Sequence, residues 1–206
     1  VTYMIMNWTD TLMLGYFKTS EDVGLYNSAL PLASLIPIAL SSMGYIYTPI
    51  TSGLYSQNRI AEMKRNYQVL TKWIFFISFP IFLLLFLFPK ATLNFFFGAP
   101  YAEAATALRI LSFGLMLHTF LGANGMTLLA MGKSRLLMWA SLLAAGLNIT
   151  CNIILIPLWG IVGAALASLI SYFAFNTFSS TKLYQFSGIH PFTKNYLKPI
   201  ATSSVV

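Results

Sequence analysis

Two charged residues fall well inside apolar runs of this chain: Asp10 in "MIMNWTDTLMLGYF" and Arg109 in "ATALRILSFG". An ionised side chain in hydrocarbon is costly and is tolerated where it has a partner or a task. Three readings follow for the pair. They form a structural ion pair inside a helix bundle, they line a cavity as a substrate or coupling-ion site, or they are unconnected, with Arg109 snorkelling to the interface. Asp10 lies seven residues before the end of its run and Arg109 some eight residues into its own. At 1.5 Å per residue both sit roughly 10–12 Å below the same surface. Equal depth and opposite charge make them the expected partners. His118 shares helical spacing with Gly114 and Gly122, which suits a proton relay or a packed, hydrogen-bonded ring. The single cysteine, Cys151, reads as a small buried hydrophobe and offers no disulfide or metal framework.

These residues need elements to hold them, and composition says which. The chain is 57% hydrophobic and 8% charged, with a mean hydropathy of +0.72. A soluble domain carries about a quarter charged residues, so this chain is read as an integral membrane protein. Its long apolar stretches make it all-α rather than a barrel. Six spans are expected, over about 1–17, 23–53, 67–88, 101–131, 135–157 and 160–183, with another beginning near 197. The chain opens on Val1 inside an apolar run and closes on "IATSSVV", so it is read as a segment of a longer polypeptide.

Twelve Lys and Arg against five acids would suit a nucleic-acid partner, but their placement argues against one. Arg59, Lys64, Arg65 and Lys72 follow the second span, Lys133 and Arg135 the fourth, and Lys182, Lys194 and Lys198 the sixth. The alternate loops hold Lys18 with Glu21 and Asp22, then Lys90 with Glu103, then the uncharged "PLWG". The positive-inside rule puts the first set in the cytoplasm, so the first span runs outward. Residues 57–66 read either as a short interfacial helix or as a solvated linker.

The spans are not uniformly apolar. In the second, Asn27, Pro31, Ser34, Ile38, Ser41, Tyr45, Thr48 and Ser52 recur at spacings of three and four, a mostly polar stripe that lipid would not favour. Helix packing explains such a stripe, and its length fits a cavity wall. Pro31, Pro37 and Pro49 predict a bent helix. Tyr3, Asn7 and Asp10 share a face of the first span, and Ser134, Ser141, Ala145, Asn148 and Asn152 a face of the fifth. In the sixth, Gly160, Ala164 and Ser168, and Gly163, Ala167 and Ser171, are four apart, as in close-packing surfaces. The phenylalanines of "WIFFISF" and "LFLF" read as core or lipid-facing residues.

Three stretches carry a resemblance. "WTDTLMLGYFKTSEDVGLYNSALPLA" resembles the opening of the second half of the polysaccharide (Wzx-type) flippases of the MOP superfamily. "FGAPYAEAATALRILSFG" resembles their link into a later helix, and "LNITCNIILIPLWGIVGAALASLIS" their late helix pair. The resemblance implies a MOP-type C-terminal lobe, helices seven to twelve plus the start of thirteen, with residues 1–186 as the lobe and 187–206 as a cytoplasmic linker entering a further helix. It implies transport of polyprenyl-(pyro)phosphate-linked oligosaccharide from the cytoplasmic to the outer leaflet of the cell membrane by alternating access. The partners are then that lipid-linked glycan, membrane lipid and a first lobe of the same polypeptide, with no nucleic acid. The expected pathway residues are Asp10, Arg109, Asn7, Asn27, Ser34, Ser41, Tyr45 and Asn148. Under the resemblance Arg109 attracts the phosphate or balances Asp10, and Asp10 alternatively binds a coupling proton or sodium ion; no resident cofactor or metal is expected. Two alternatives stand beside it: a MATE-like cation-coupled multidrug antiporter, and a glycan polymerase or ligase, which the short outer loops disfavour.

Overall fold

A computed structural model describes residues 2–121 and 123–189, with side chains from Trp8 onward. The side chains of Tyr3 and Asn7, and the expected linker and further helix beyond Ile189, lie outside the described residues. Within them the chain is helical, with no strand.

The first helix, α1 (Thr2–Phe17), is followed by α2 (Ser20–Ala33) and α3 (Ile38–Ser56). Thr19 starts α2 with a capping box: its hydroxyl accepts from the Asp22 N–H while the Asp22 carboxylate accepts from the Thr19 N–H. This closes the helix end and starts α2 at Ser20, three residues before the span expected from 23. α2 and α3 are one apolar crossing bent by 50°, with Pro31 in the last turns of α2 and Pro37 capping α3. Broken backbone in a bilayer must be satisfied internally. Here Ser78 of α4 (Ile60–Leu87) donates to the buried carbonyl of Ile36 at 2.8 Å.

α4 begins at Ile60 and runs on unbroken. Residues 57–66 are therefore neither a separate interfacial helix nor a linker. Only the turn Gln57–Arg59 is outside helix, and Ile60, Met63 and Tyr67 continue the buried face of α4. The short α5 (Pro89–Phe97) and a 3-10 segment (Ala99–Ala104) lead into α6 (Ala105–Leu121) and α7 (Ala123–Ala130). α6 is the central helix, packed between α2, α4 and α8.

The last helix, α8 (Ser134–Ser187), is 54 residues long, roughly 80 Å if straight and more than two bilayer cores. It is not straight: Gly160 (φ 55°, ψ −129°) is non-helical. Asn152 and Ser168, roughly 24 Å apart on a continuous helix, both bond the same carboxylate of Asp10. α8 therefore folds back at "PLWG" into two antiparallel arms, 134–159 and 161–187. The small residues of the second arm allow the close approach. A Cβ at Gly163 would overlap the backbone of Leu155 and Ile156.

The loops divide between two ends as their charges require. Lys18 bonds the Pro157 carbonyl at 3.2 Å and the 3-10 segment packs on α2, which gathers the sparsely charged loops. At the opposite end Met63, Met131, Leu183 and Ile189 share one buried cluster, and Lys133 sits 4.9 Å over the Phe186 ring. The basic loops thus lie together. Between the ends, Trp73, Ile77, Leu84, Leu142 and Ile153 are exposed, the apolar belt of a multi-pass membrane protein.

Candidate functional site

Asp10 is fully buried, and its carboxylate is the polar centre of the bundle. The Tyr26 hydroxyl donates to Oδ2 at 2.8 Å and Ser168 Oγ to the same oxygen at 2.5 Å. Asn148 and Asn152 donate through Nδ2 to Oδ1 at 2.9 and 2.7 Å. A carboxylate offers about four acceptor positions, and all four are filled. The donors come from α2 and from both arms of α8, so one side chain of α1 ties three other segments together. Asn148 and Asn152 are there because a four-residue repeat, Ala140, Ala144, Asn148, Asn152, Ile156, forms the buried face of the first arm.

Arg109 is elsewhere, and the expected pair does not form. Its side chain is exposed on the opposite side of the bundle, where Nε donates to the Phe86 carbonyl at 3.0 Å and the guanidinium lies 5.8 Å from the Phe86 ring centre. Arg109 is also only four residues into its helix, because Ala99–Ala104 form the 3-10 segment and α6 begins at Ala105. Sequence position carries no azimuth either: Asp10 faces α8, whereas Arg109 faces α4. Among the described residues the one ion pair joins Arg59 and Glu62 at 2.6 Å.

A second polar cluster lies nearer the basic end. Asn176 of the second arm of α8 donates through Nδ2 to the Tyr172 carbonyl at 2.7 Å and contacts His118 Nδ1 at 3.0 Å. The carbonyl contact fixes which way the amide points, so Nδ1 is the acceptor and the ring hydrogen is on Nε2. Asn124 of α7 donates to the Asn176 backbone carbonyl at 3.2 Å and to Ser180 Oγ at 2.7 Å. The Tyr172 and Phe175 rings flank His118 at 5.5 and 6.1 Å. His118 is thus a held, packed ring, and it borders a cleft of about 430 Å³ at the α2–α3 bend, with Ser34, Pro37, Ser41, Met126 and Phe175.

The polar stripe of α2–α3 stands mostly on the outside of the bundle. Asn27, Ser41, Tyr45 and Ser52 are exposed, and Ser34 and Thr48 half-buried. Asn27 Oδ1 accepts from Thr11 of α1 at 3.1 Å, and Tyr45 is 84% exposed, so the stripe is not consumed by packing within this chain. Of the residues named from sequence, Asp10 and Asn148 meet in one cluster, Ser34 and Ser41 in the cleft, and Asn27 and Tyr45 stand on the open face. Tyr26, Asn152 and Ser168 complete the Asp10 cluster without having been singled out as site residues. The i, i+4 spacing of Asn148 and Asn152 carried a signal for one of them. Nothing local marked Tyr26, whose neighbour Asn27 belongs to the other face.

Several known proteins are similar to the chain. It is 29% identical over 82% of its length to an uncharacterized membrane protein of Methanocaldococcus jannaschii, covering 34% of that protein. It is 28% identical over 83% of its length to the "probable low-salt glycan biosynthesis flippase Agl15" of Haloferax volcanii, covering 36% of it. It is 26% identical over 62% of its length to the "teichuronic acid biosynthesis protein TuaB" of Bacillus subtilis, covering 26% of it. The chain thus spans about a third or less of each relative's length. No solved structure gives a significant match. The MatE family model covers residues 1–154, three of the four stretches that build the Asp10 cluster and the whole bent polar crossing. The chain belongs to the MatE family, within the MOP superfamily.

Proposed function

We propose that the chain is part of a carrier that flips polyprenyl-(pyro)phosphate-linked oligosaccharide from the cytoplasmic to the outer leaflet by alternating access. The observation that carries this reading is the bent α2–α3 crossing. Its amide and hydroxyl side chains, Asn27, Ser41, Tyr45 and Ser52, are turned away from the chain's own core. Polar groups at membrane depth belong against protein or water, not acyl chains, and a wet wall of hydroxyls and amides suits a glycan while the prenyl tail stays in lipid. The relatives whose names mention a glycan flippase and teichuronic acid synthesis support the same substrate class. The remaining length of those relatives would supply a facing lobe. The reading is of a carrier, not an enzyme.

Asp10 is the candidate for a coupling proton or sodium ion. With four donors on its carboxylate, an ion reaches it only by displacing a donor, which makes ion binding and bundle rearrangement one event. The deciding experiment follows labelled lipid-linked oligosaccharide in liposomes containing the full-length protein, with and without a proton or sodium gradient. Outward flipping supports the proposal. Export of a cationic dye with no glycolipid movement overturns it in favour of drug antiport.

A further inference from the structure

We propose that the end of the α4–α6 seam beside Lys90 is a docking site for a polyprenyl phosphate in the outer leaflet. Lys90 and Arg109 hold the phosphate, and a ladder of phenylalanine rings holds the chain. The identity of the lipid and the leaflet rest on the reading above; the site itself rests on three observations.

The first is charge without a partner. Lys90 and Arg109 border one pocket of about 280 Å³, with Pro89 and Thr106 beside them. Neither makes an ion pair among the described residues, although Glu103 lies on the same connection. Arg109 is held by its Nε, which bonds the Phe86 carbonyl, and the terminal nitrogens have no protein acceptor among the described residues. A guanidinium fixed at one edge and open at the other is pre-set for a phosphate, with Lys90 as a second, mobile cation.

The second is a continuous aromatic track leading from that pocket. Arg109 lies over Phe86. Ring centres then follow at 5.2 Å to Phe82, 6.2 Å to Phe79, 5.1 Å to Phe75 and 5.7 Å to Phe120. Phe82, Phe79, Phe75, Phe113 and Phe120 line a groove of about 240 Å³ with no polar side chain in its wall. The third is length. Phe86 and Phe75 are roughly 16 Å apart along α4, which is about half of a 30 Å hydrocarbon core. Phe86 is one residue from the end of α4 and Arg109 four residues into α6, so the pocket lies at the loop end of the seam and a track of this length fits one leaflet. A free phosphate would use only the pocket, whereas a lipid phosphate uses pocket and track together.

The test uses the full-length protein in vesicles and a polyprenyl phosphate carrying a photoreactive group on an early isoprene unit. Labelling is mapped by mass spectrometry, and flipping of labelled lipid-linked oligosaccharide is followed in the same vesicles. The expected result is label on the 75–86 and 113–120 segments, lowered about tenfold or more in the Lys90→Gln/Arg109→Gln variant at unchanged thermal stability and kept within about twofold in Lys90→Arg, which preserves both charges and leaves the Arg109 guanidinium in place. Unchanged labelling in the glutamine variant overturns the site. So does displacement by phosphatidylglycerol as effective as by unlabelled polyprenyl phosphate, which means bulk anionic lipid, and so does displacement by inorganic phosphate. Mapped label in vesicles that do not flip the glycolipid supports the site and counts against the transport reading. Flipping without label at these segments overturns the site alone.

Discussion

A carboxylate ringed by neutral donors responds to substitution differently from one facing a guanidinium. Had Asp10 been paired with Arg109, reversing both charges would restore the contact. With Tyr26, Asn148, Asn152 and Ser168 as partners, every substitution at residue 10 leaves buried donors aimed at nothing. Asp10→Asn keeps the shape but turns an amide N–H₂ toward two of those donors. Two charge-assisted bonds at about 1.5 kcal/mol each are lost, a destabilisation on the order of 3 kcal/mol. Tyr26→Phe removes one donor and should cost about 1–2 kcal/mol. Thermal unfolding of the purified full-length protein in detergent checks both: Asp10→Asn should melt lower than Tyr26→Phe, and the Asp10→Arg/Arg109→Asp exchange should rescue nothing. Equal melting of Asp10→Asn and the wild type would remove the cluster from the account of stability. Under the proposed coupling role, an ion taking the carboxylate would first have to take it from α2 or α8.

At the scale of elements, the hairpin of α8 decides whether the cluster exists. Gly160 has a backbone conformation open in practice only to glycine, and Gly163 sits where the arms touch backbone to backbone. Gly160→Ala should cost about 1–3 kcal/mol through strain at the corner. Gly163→Val should do more, because spreading the arms carries Ser168 away from Asp10. A double-mutant cycle checks this. Gly163→Val and Asp10→Asn should be far from additive, whereas Gly160→Ala and a substitution at the distant Ser78, which caps the Ile36 carbonyl, should add. Full additivity of the first pair would mean that the hairpin and the carboxylate are held independently. Much of this level was legible in the sequence. Pro31 and Pro37 announced the bend, "PLWG" the corner of the hairpin, and the basic loops the two ends. What was not legible was azimuth. Periodicity says which residues share a face, and depth says which share a layer, but neither says which helix the face meets. That is why Asp10 and Arg109, expected as partners from their positions along the chain, belong to opposite sides of the bundle. The lone Tyr26 escaped for the same reason. A single polar residue has no period, and only the packing of α2 against α1 gives it a partner.

At the scale of the molecule, the exposed surface carries an apolar belt and the α2–α3 stripe, where hydroxyls stand among the exposed Ile38, Ile46 and Ile50, and the two should differ in what they touch. Tyr45 and Ser41 on α3 and Leu142 and Ile153 on the first arm of α8 are all exposed. Geometry alone therefore does not separate them; chemistry does, since hydroxyls are expected against water or protein and aliphatic side chains against acyl chains. Single cysteines at these positions make the distinction measurable once Cys151, itself half-buried, has been replaced by serine. In the full-length protein in native membranes, a membrane-impermeant thiol reagent should modify Ser41→Cys and Tyr45→Cys at least about tenfold faster than Leu142→Cys and Ile153→Cys, because a thiol in hydrocarbon is neither ionised nor reached by a charged reagent. Lipid-linked oligosaccharide should slow the reaction at the first two and leave the second two unchanged. Orientation is read in the same assay. A cysteine at Thr19, beside Lys18, should react from outside intact cells, and one at Gln57, beside Arg59, only after the cytoplasmic side is opened, as the loop charges require. Slow, lipid-like rates at Ser41 and Tyr45 would mean that the stripe lies against acyl chains, and the proposed passage would then have no wall in this half of the protein.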